Sequence, residues 1–254
     1  METNLSGRQS YRQSFTKARA VSNYDERVYR PGSSAEILWR AEAAIIRRLG
    51  EEILRARKNT SYLDFACGTG RVLALLEDLA ESASGIDISA AMLDRARTKC
   101  RHASLMCKDI TQPAAEIEGQ YDLITSFRFL TNAEPDLRLA ALRQLHRRLK
   151  DDGVLLINTH SNPYSYRLFF LPYHWLRDRF KGRELYGYLS NAGARRTLEA
   201  EGFRVERVIG MGFVPSKLLP VIPSGIAAAI ESGLAGKSIV QRFGVNQLFV
   251  CVKK

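Results

Sequence analysis

Two carboxylates and two glycines carry the chemistry that is legible first. Tyr62-Leu63-Asp64-Phe65-Ala66-Cys67-Gly68-Thr69-Gly70 reads as a buried strand that runs into a tight turn and opens a helix. Gly85-Ile86-Asp87-Ile88-Ser89 reads as a second short strand ending in an acid. Glycines in such a turn let the backbone approach a ligand closely. An acid at the end of the next strand suits a ribose diol, because two hydroxyl donors need one two-oxygen acceptor. Together they describe a nucleotide pocket.

Spacing narrows the nucleotide. The dinucleotide fingerprint G-x-G-x-x-G needs a third glycine, and Leu73 stands in its place. Asp64 lies inside the strand, before the turn. It is a poor neighbour for a pyrophosphate and suits a ligand with a positively charged amino acid end. Gly236-Lys237-Ser238 has the tail of a phosphate loop, but Glu231 occupies the first-glycine position.

With these residues the chain resembles the class I S-adenosylmethionine-dependent methyltransferases of the small-molecule type. Asp64-Phe65-Ala66-Cys67-Gly68-Thr69-Gly70 is similar to their acidic-plus-glycine motif, with Ala66 where glycine is commoner. Lys108-Asp109-Ile110 resembles the adenine-contacting loop after the third strand. Tyr121 to Phe127 resembles the fourth strand, and Leu142 to Ile157 the following helix, turn and strand. The resemblance covers residues 36–160 well and the rest loosely. It implies S-adenosyl-L-methionine as cofactor and S-adenosyl-L-homocysteine as product.

It also assigns roles. Asp64 would hold the ammonium, or a water beside it; the alternative is a carboxylate capping the turn. Ala66, Cys67, Gly68 and Gly70 form the cradle. Asp87, with Ile88 after it, would take the ribose hydroxyls; the alternative is a cap for the helix near Ser89. Asp109 would accept the adenine amino group, with Ile110 on one ring face and Met92 on the other, or Met92 in the core. Phe127 follows the fourth strand, where the donor methyl points. Tyr24 and Tyr29 resemble aromatics that close over the cofactor, and Arg30 would pair with its carboxylate. His160, at the end of the fifth strand, is the general-base candidate; a loop histidine is the alternative.

The elements that position these groups alternate. Strands are expected near 61–66, 84–87, 103–107, 121–127 and 153–160, with helices near 71–81, 89–101 and 135–150. Such alternation gives a parallel sheet with right-handed crossovers. Ser33 or Ser34 should cap a helix from Ala35 to Arg57 with an apolar stripe of Ile37, Leu38, Ala41, Ala44, Ile45 and Leu49. A helix is expected over 191–201 and strands over 203–210 and 247–252. The resemblance makes the whole an α/β, Rossmann-like, seven-stranded, mostly parallel sheet with helices on both faces and an antiparallel last strand. The expected organisation is an N-terminal helical lid over 1–58 and a cofactor-binding core over 59–160. An aromatic and basic acceptor cap follows over 161–190. Residues 191–254 complete the core, with an apolar insertion near 211–244.

Composition sets the class. The 254 residues carry a formal net charge of +11 and 45% hydrophobic residues, enough for a packed core. Four cysteines without a C-x-x-C pair point to reduced thiols in a cytoplasmic protein, with no metal centre expected. No apolar run is long enough to span a bilayer. Asn162-Pro163-Tyr164 is similar to part of the N-P-P-Y motif of nucleic-acid amine methylases, but follows the fifth strand and lacks one proline, so base methylation is discounted. The insertion at 161–189 sets nine aromatics beside five basic residues and only Asp178 and Glu184. It suits a small or lipid-linked acceptor, with peripheral membrane contact in view and nucleic acid disfavoured. The expected reaction is methyl transfer to a small or amphipathic metabolite, oxygen favoured over nitrogen. The alternative is a non-catalytic cofactor-binding module or a basic RNA-binding or RNA-modifying protein.

Overall fold

The computed structural model describes residues 30, 32–112, 119–160, 162–166, 168, 189–215, 218–219, 221–235 and 238–254. Seven strands form one sheet: β1 Ser61–Phe65, β2 Ser82–Asp87, β3 Ser104–Cys107, β4 Tyr121–Ser126, β5 Leu149–Thr159, β6 Phe203–Met211 and β7 Asn246–Lys253. Their spatial order is β3-β2-β1-β4-β5-β7-β6. The first five pair in parallel, while β7 lies antiparallel to both β5 and β6. The expected mostly parallel sheet is therefore present. Both β1 and β4 pair with their neighbours in parallel, and chain direction across the sheet reverses at their junction. That junction is where ligands bind in open α/β sheets, at the strands' carboxyl ends.

Helices cover both faces. On one lie α1 (Ser34–Leu54) and α2 (Arg71–Leu76); their Ile46, Leu49, Val72 and Leu73 pack with Tyr62, Leu123 and Leu156 of the sheet. On the other lie α4 (Pro135–Arg148) and α5 (Asn191–Ala200), through Leu142, Leu145, Ala194 and Leu198. Between β2 and β3 runs α3 (Ala90–Arg97); α6 (Ser224–Ala235) and α7 (Ser238–Gln241) lie between β6 and β7.

Local chemistry explains the boundaries. The Ser33 hydroxyl accepts the Glu36 amide at the start of α1, and Glu36 accepts the Gly32 amide in return. Ser89 and Ser190 cap α3 and α5 in the same way. The buried stripe of α1 is Glu42, Ile45, Ile46, Leu49 and Leu54. Ala44, expected in that stripe, is exposed. A carboxylate, Glu42, takes a place an apolar residue was expected to fill. Helix α6 had no counterpart in the sequence reading. Its Gly- and Ala-rich segment, with Glu231 as its one charge, shows no polar face from which a period could be read.

Candidate functional site

The turn after β1 is held by the Cys67 amide donating to Ile86 O and the Gly70 amide to Cys67 O, each at 3.0 Å. It places Ala66, Gly68 and Gly70 at positive φ, 55°, 56° and 74°. The two glycines serve different purposes. A Cβ on Gly68 would meet nothing within 4 Å, so its open side is the cleft. A Cβ on Gly70 would lie 2.9 Å from Ala96 Cβ, so this glycine lets α3 approach the turn. Gly70 does not line the cleft, whereas Ala66, Cys67 and Gly68 do. The missing third glycine is answered across the helix–strand contact. Leu73 fills the space in which a Gly85 Cβ would sit, 2.5 Å from Leu73 Cδ2.

Three carboxylates face this cleft. Asp87 Oδ2 accepts the Gly68 amide at 2.8 Å and Oδ1 the Ser89 amide at 2.9 Å. The acid thus ties strand, turn and helix together and keeps lone pairs for two further donors. Burial raises its pKa, against the pull of these amides. Asp64, 2% exposed, accepts Thr125 Oγ1–H at 2.6 Å, and the Tyr62 hydroxyl lies 2.8 Å from the same Thr125 oxygen. Burial pushes Asp64 up to about 7, opposed by the Thr125 hydroxyl and the Leu73 amide. A cation beside it would return it to the carboxylate form. Asp109 accepts both the amide and the hydroxyl of Thr111, at 3.0 and 2.6 Å. This folds the loop after β3 into a turn at the cleft's edge.

Ile88, Met92 and Ile110 give the cleft an apolar wall, the latter two almost fully buried. Phe127 and Arg128, just after β4, also line it. Arg128 has φ 61°, and its amide donates to Asn158 Oδ1 at 2.7 Å. An apolar cleft lined also by Asp64, Asp87 and Asp109 fits a nucleoside carrying a cationic tail. Gly68's open side and the Asp87 carboxylate are the features that would hold S-adenosylmethionine.

Other candidates fall elsewhere. His160 is not among the cleft residues; it follows β5 and its amide donates to Thr131 Oγ1 at 3.3 Å. The histidine thus follows the strand outside the cleft's own lining. Arg30 is exposed, away from the cleft lining, and its carbonyl accepts the Ser33 amide. Tyr24 and Tyr29 lie outside the described residues, as does most of the 161–190 insertion. Asn162 is buried, its side-chain amide donating to Arg242 O and Gly244 O at 2.7 and 2.9 Å, so it clamps the approach to β7. Burial raises the Cys67 thiol well above its ordinary range, which removes it as a thiolate nucleophile.

Sequence reasoning missed Arg71 and Thr125. Arg71 opens α2, lines the cleft and stacks over Trp39 at 4.7 Å. A cation in a helix's first turn opposes the dipole, and that anomaly was the available signal. Thr125 lies directly across from Asp64 in the β1–β4 register. Glu42 was also missed. It is buried, bonded to the Asn246 amide, and close enough to Arg128 and Arg71 for their charges to oppose the upward shift that burial imposes.

Residues 38–208, more than half of the chain, match the family model described as a methyltransferase domain. Over 135 residues the chain is 30% identical to the malonyl-[acyl-carrier protein] O-methyltransferase of Acetivibrio thermocellus, covering 50% of this chain and 45% of that one. It is 32% identical over 104 residues to a protein of Geobacillus sp. (strain WCH70) provisionally named a methyltransferase, covering 39% and 42%. The chain thus spans less than half the length of the curated relatives it matches. Two solved structures share the fold over nearly all of both chains. Magnesium protoporphyrin IX methyltransferase from Synechocystis PCC 6803, with bound SAH, has TM-score 0.60 and 15% identity, covering 93% of this chain and 98% of that one. A TehB-like SAM-dependent methyltransferase from Corynebacterium glutamicum has TM-score 0.56 and 19% identity, covering 94% and 100%. The chain belongs to the methyltransferase-domain family, and its fold is that of solved S-adenosylmethionine-dependent methyltransferases.

Proposed function

We propose that this protein transfers the methyl group of S-adenosylmethionine to an oxygen of a small, amphipathic acceptor. The observation that carries the cofactor half is the pairing of an open-sided, left-handed Gly68 with the Asp87 carboxylate at the sheet's crossover. The cofactor supplies an electrophilic methyl on a sulfonium sulfur. The chain supplies position and dryness. Asp87 fixes one end of the slot and Asp64 the cationic end. Phe127 and Arg128 border the space in which an acceptor would meet the methyl group. Alignment in a water-poor slot contributes much of the rate of such a displacement.

Oxygen is favoured on two grounds. The Acetivibrio relative is named for O-methylation. An acceptor already carrying a carboxylate needs no base, and His160 supplies none at the cleft. Two arginines, Arg71 and Arg128, line the cleft and would attract an anionic acceptor. The acceptor's apolar portion is suited to the segment 211–244, and the protein would work in the cytoplasm, peripherally at a membrane.

The test is calorimetric titration with S-adenosylmethionine and S-adenosylhomocysteine, followed by methyl transfer to long- and short-chain carboxylic acids. Micromolar binding with ester formation supports the reading. No binding of either ligand by folded protein overturns it, and binding with transfer only to amines overturns the oxygen assignment.

A further inference from the structure

Helix α6 is built inside out. Its one charged residue, Glu231, is 3% exposed and accepts the amides of Gly212 and Val214, both at 2.9 Å. Ala227, also buried, packs with Val214 and Leu219 against Ile37 and Leu38 of α1. The opposite face presents Gly225, Ile226, Ala229, Ile230 and Gly233, all exposed and spaced as one helical stripe. Ile226 is 54% exposed and Ile230 38%. A surface helix of a water-soluble protein ordinarily turns its apolar stripe inward.

The anomaly is regional. Among the described residues, the large exposed hydrophobics are Tyr164, Leu168, Leu218, Val221, Ile226, Ile230 and Phe243, and all lie in 164–168 or 218–243. None belongs to the cofactor-binding half. Gly212 and Val214 follow the end of β6, which runs parallel to β5, so α6 is attached at the sheet edge that carries the cleft.

Charge selects the occupant. From Met211 to Gly244 the sequence carries Lys217, Lys237 and Arg242 against Glu231 alone. Glu231 is buried, so its charge is withdrawn from the surface. Arg242 is exposed and sits over the Phe243 ring at 5.1 Å. Exposed apolar side chains beside Arg242, in a segment whose sequence is net cationic, suit a bilayer interface with anionic headgroups.

We propose that the outward face of α6, with Leu218, Val221 and Phe243, docks on an anionic lipid bilayer and brings an amphipathic acceptor to the cleft. This deepens the proposed function and rests on its amphipathic acceptor for its purpose. The docking itself is read without any acceptor.

The experiment is co-sedimentation of the full chain with phosphatidylcholine vesicles, with and without phosphatidylglycerol, at low and high salt. Ile226→Glu/Ile230→Glu is the test variant. Both side chains are exposed, so the variant folds and keeps its S-adenosylmethionine affinity. The expected result is binding to the phosphatidylglycerol vesicles that salt weakens and the variant loses by about tenfold or more. Equal sedimentation of wild type and variant, or none by wild type, overturns the proposal. So does a wild-type dimer that the variant dissolves, since a second copy then occupies the face. A variant with a lowered Tm and unchanged vesicle binding also overturns it, because the face is then covered by the protein's own chain. Loss of S-adenosylmethionine binding in wild type sinks the methyl-transfer reading alone.

Discussion

Helix α1 turns Ile45, Ile46 and Leu49 to the sheet and leaves Arg40 and Arg48 in water, whereas α6 buries Glu231 and leaves Ile226 and Ile230 outside. The two helices touch, with Ile37 and Leu38 in the same cluster as Ala227. They therefore share one environment and differ in what they face. The first completes a core that water surrounds. The second keeps its polar contact inward, where Glu231 satisfies two backbone amides, and offers apolar surface outward. In the cofactor half, hydrogen bonds hold Asp64 and Asp87 in place before any ligand arrives. Around α6 apolar side chains stay exposed instead.

The largest effect should come from Asp87→Ala. The change removes the acceptor of two ligand hydroxyls and orphans the Gly68 and Ser89 amides. Affinity for S-adenosylmethionine should fall by about 100-fold or more, since two charge-assisted bonds at about 1.5–3 kcal/mol each are lost. Calorimetry reads the affinity and co-sedimentation the docking. Vesicle binding should not change. If both fall together, the two halves are not separable.

Glu231→Ala attacks the other side. It leaves the Gly212 and Val214 amides without their buried acceptor, a loss of about 2–4 kcal/mol for two such groups. Proteolysis near α6 should accelerate and vesicle binding should weaken, while cofactor affinity stays within about threefold, because the carboxylate contacts no cleft residue. A cofactor affinity that falls with the docking would show that α6 helps to shape the cleft.

The same contrast explains what the sequence discloses. Strands β1 to β5 were legible because parallel strands make short apolar runs, and helices beside them begin on recognisable residues such as Ser33 before α1 and Ser89 before α3. Asp64, Asp87 and Gly68 were legible because turn chemistry and strand ends fix them locally. Thr125 was not, since its role exists only through the β1–β4 register. Glu42 was hidden for a related reason: it is a charge on a buried stripe, satisfied by Asn246 from the far end of the chain. Helix α6 escaped because periodicity detects contrast between faces, and Ser224–Ala235 has almost none. Gly70 was read as a cradle residue, but its demand comes from Ala96, 26 positions later in sequence and adjacent in space.

Acid should weaken cofactor binding while leaving the fold at Asp64 intact. Asp64 is raised from 3.8 to about 7, so in the unliganded fold its contribution to stability is complete below 3.8 and is lost as pH rises through 7. A cationic ligand reverses this preference by favouring the carboxylate. S-adenosylmethionine affinity should then rise roughly eightfold between pH 6 and 7.5, as the binding-competent carboxylate becomes populated. The thermal shift produced by the ligand should grow over the same range. Asp64→Asn should bind weakly with a flat profile. A profile that persists in the variant would assign the titration to another group.

The smallest effect tests whether the turn stores strain. Ala66 holds φ 55°, a conformation that costs an L-residue about 1–2 kcal/mol. Ala66→Gly relieves that cost but gives the unfolded chain more freedom, worth about 0.4–1 kcal/mol in the other direction. The balance should stabilise the protein by up to about 1 kcal/mol, a Tm rise of about 2–4 °C for a chain of this size. Cofactor affinity should hold within about twofold, because the backbone path that presents Gly68 is unchanged. A lowered Tm would have a specific meaning. Ala66 also packs against the core cluster that holds Phe65 and Phe129, and its methyl contact there would then outweigh the backbone strain. In that case alanine is the better residue at this position, and the turn of the cofactor half is fixed by side-chain packing as well as by its glycines.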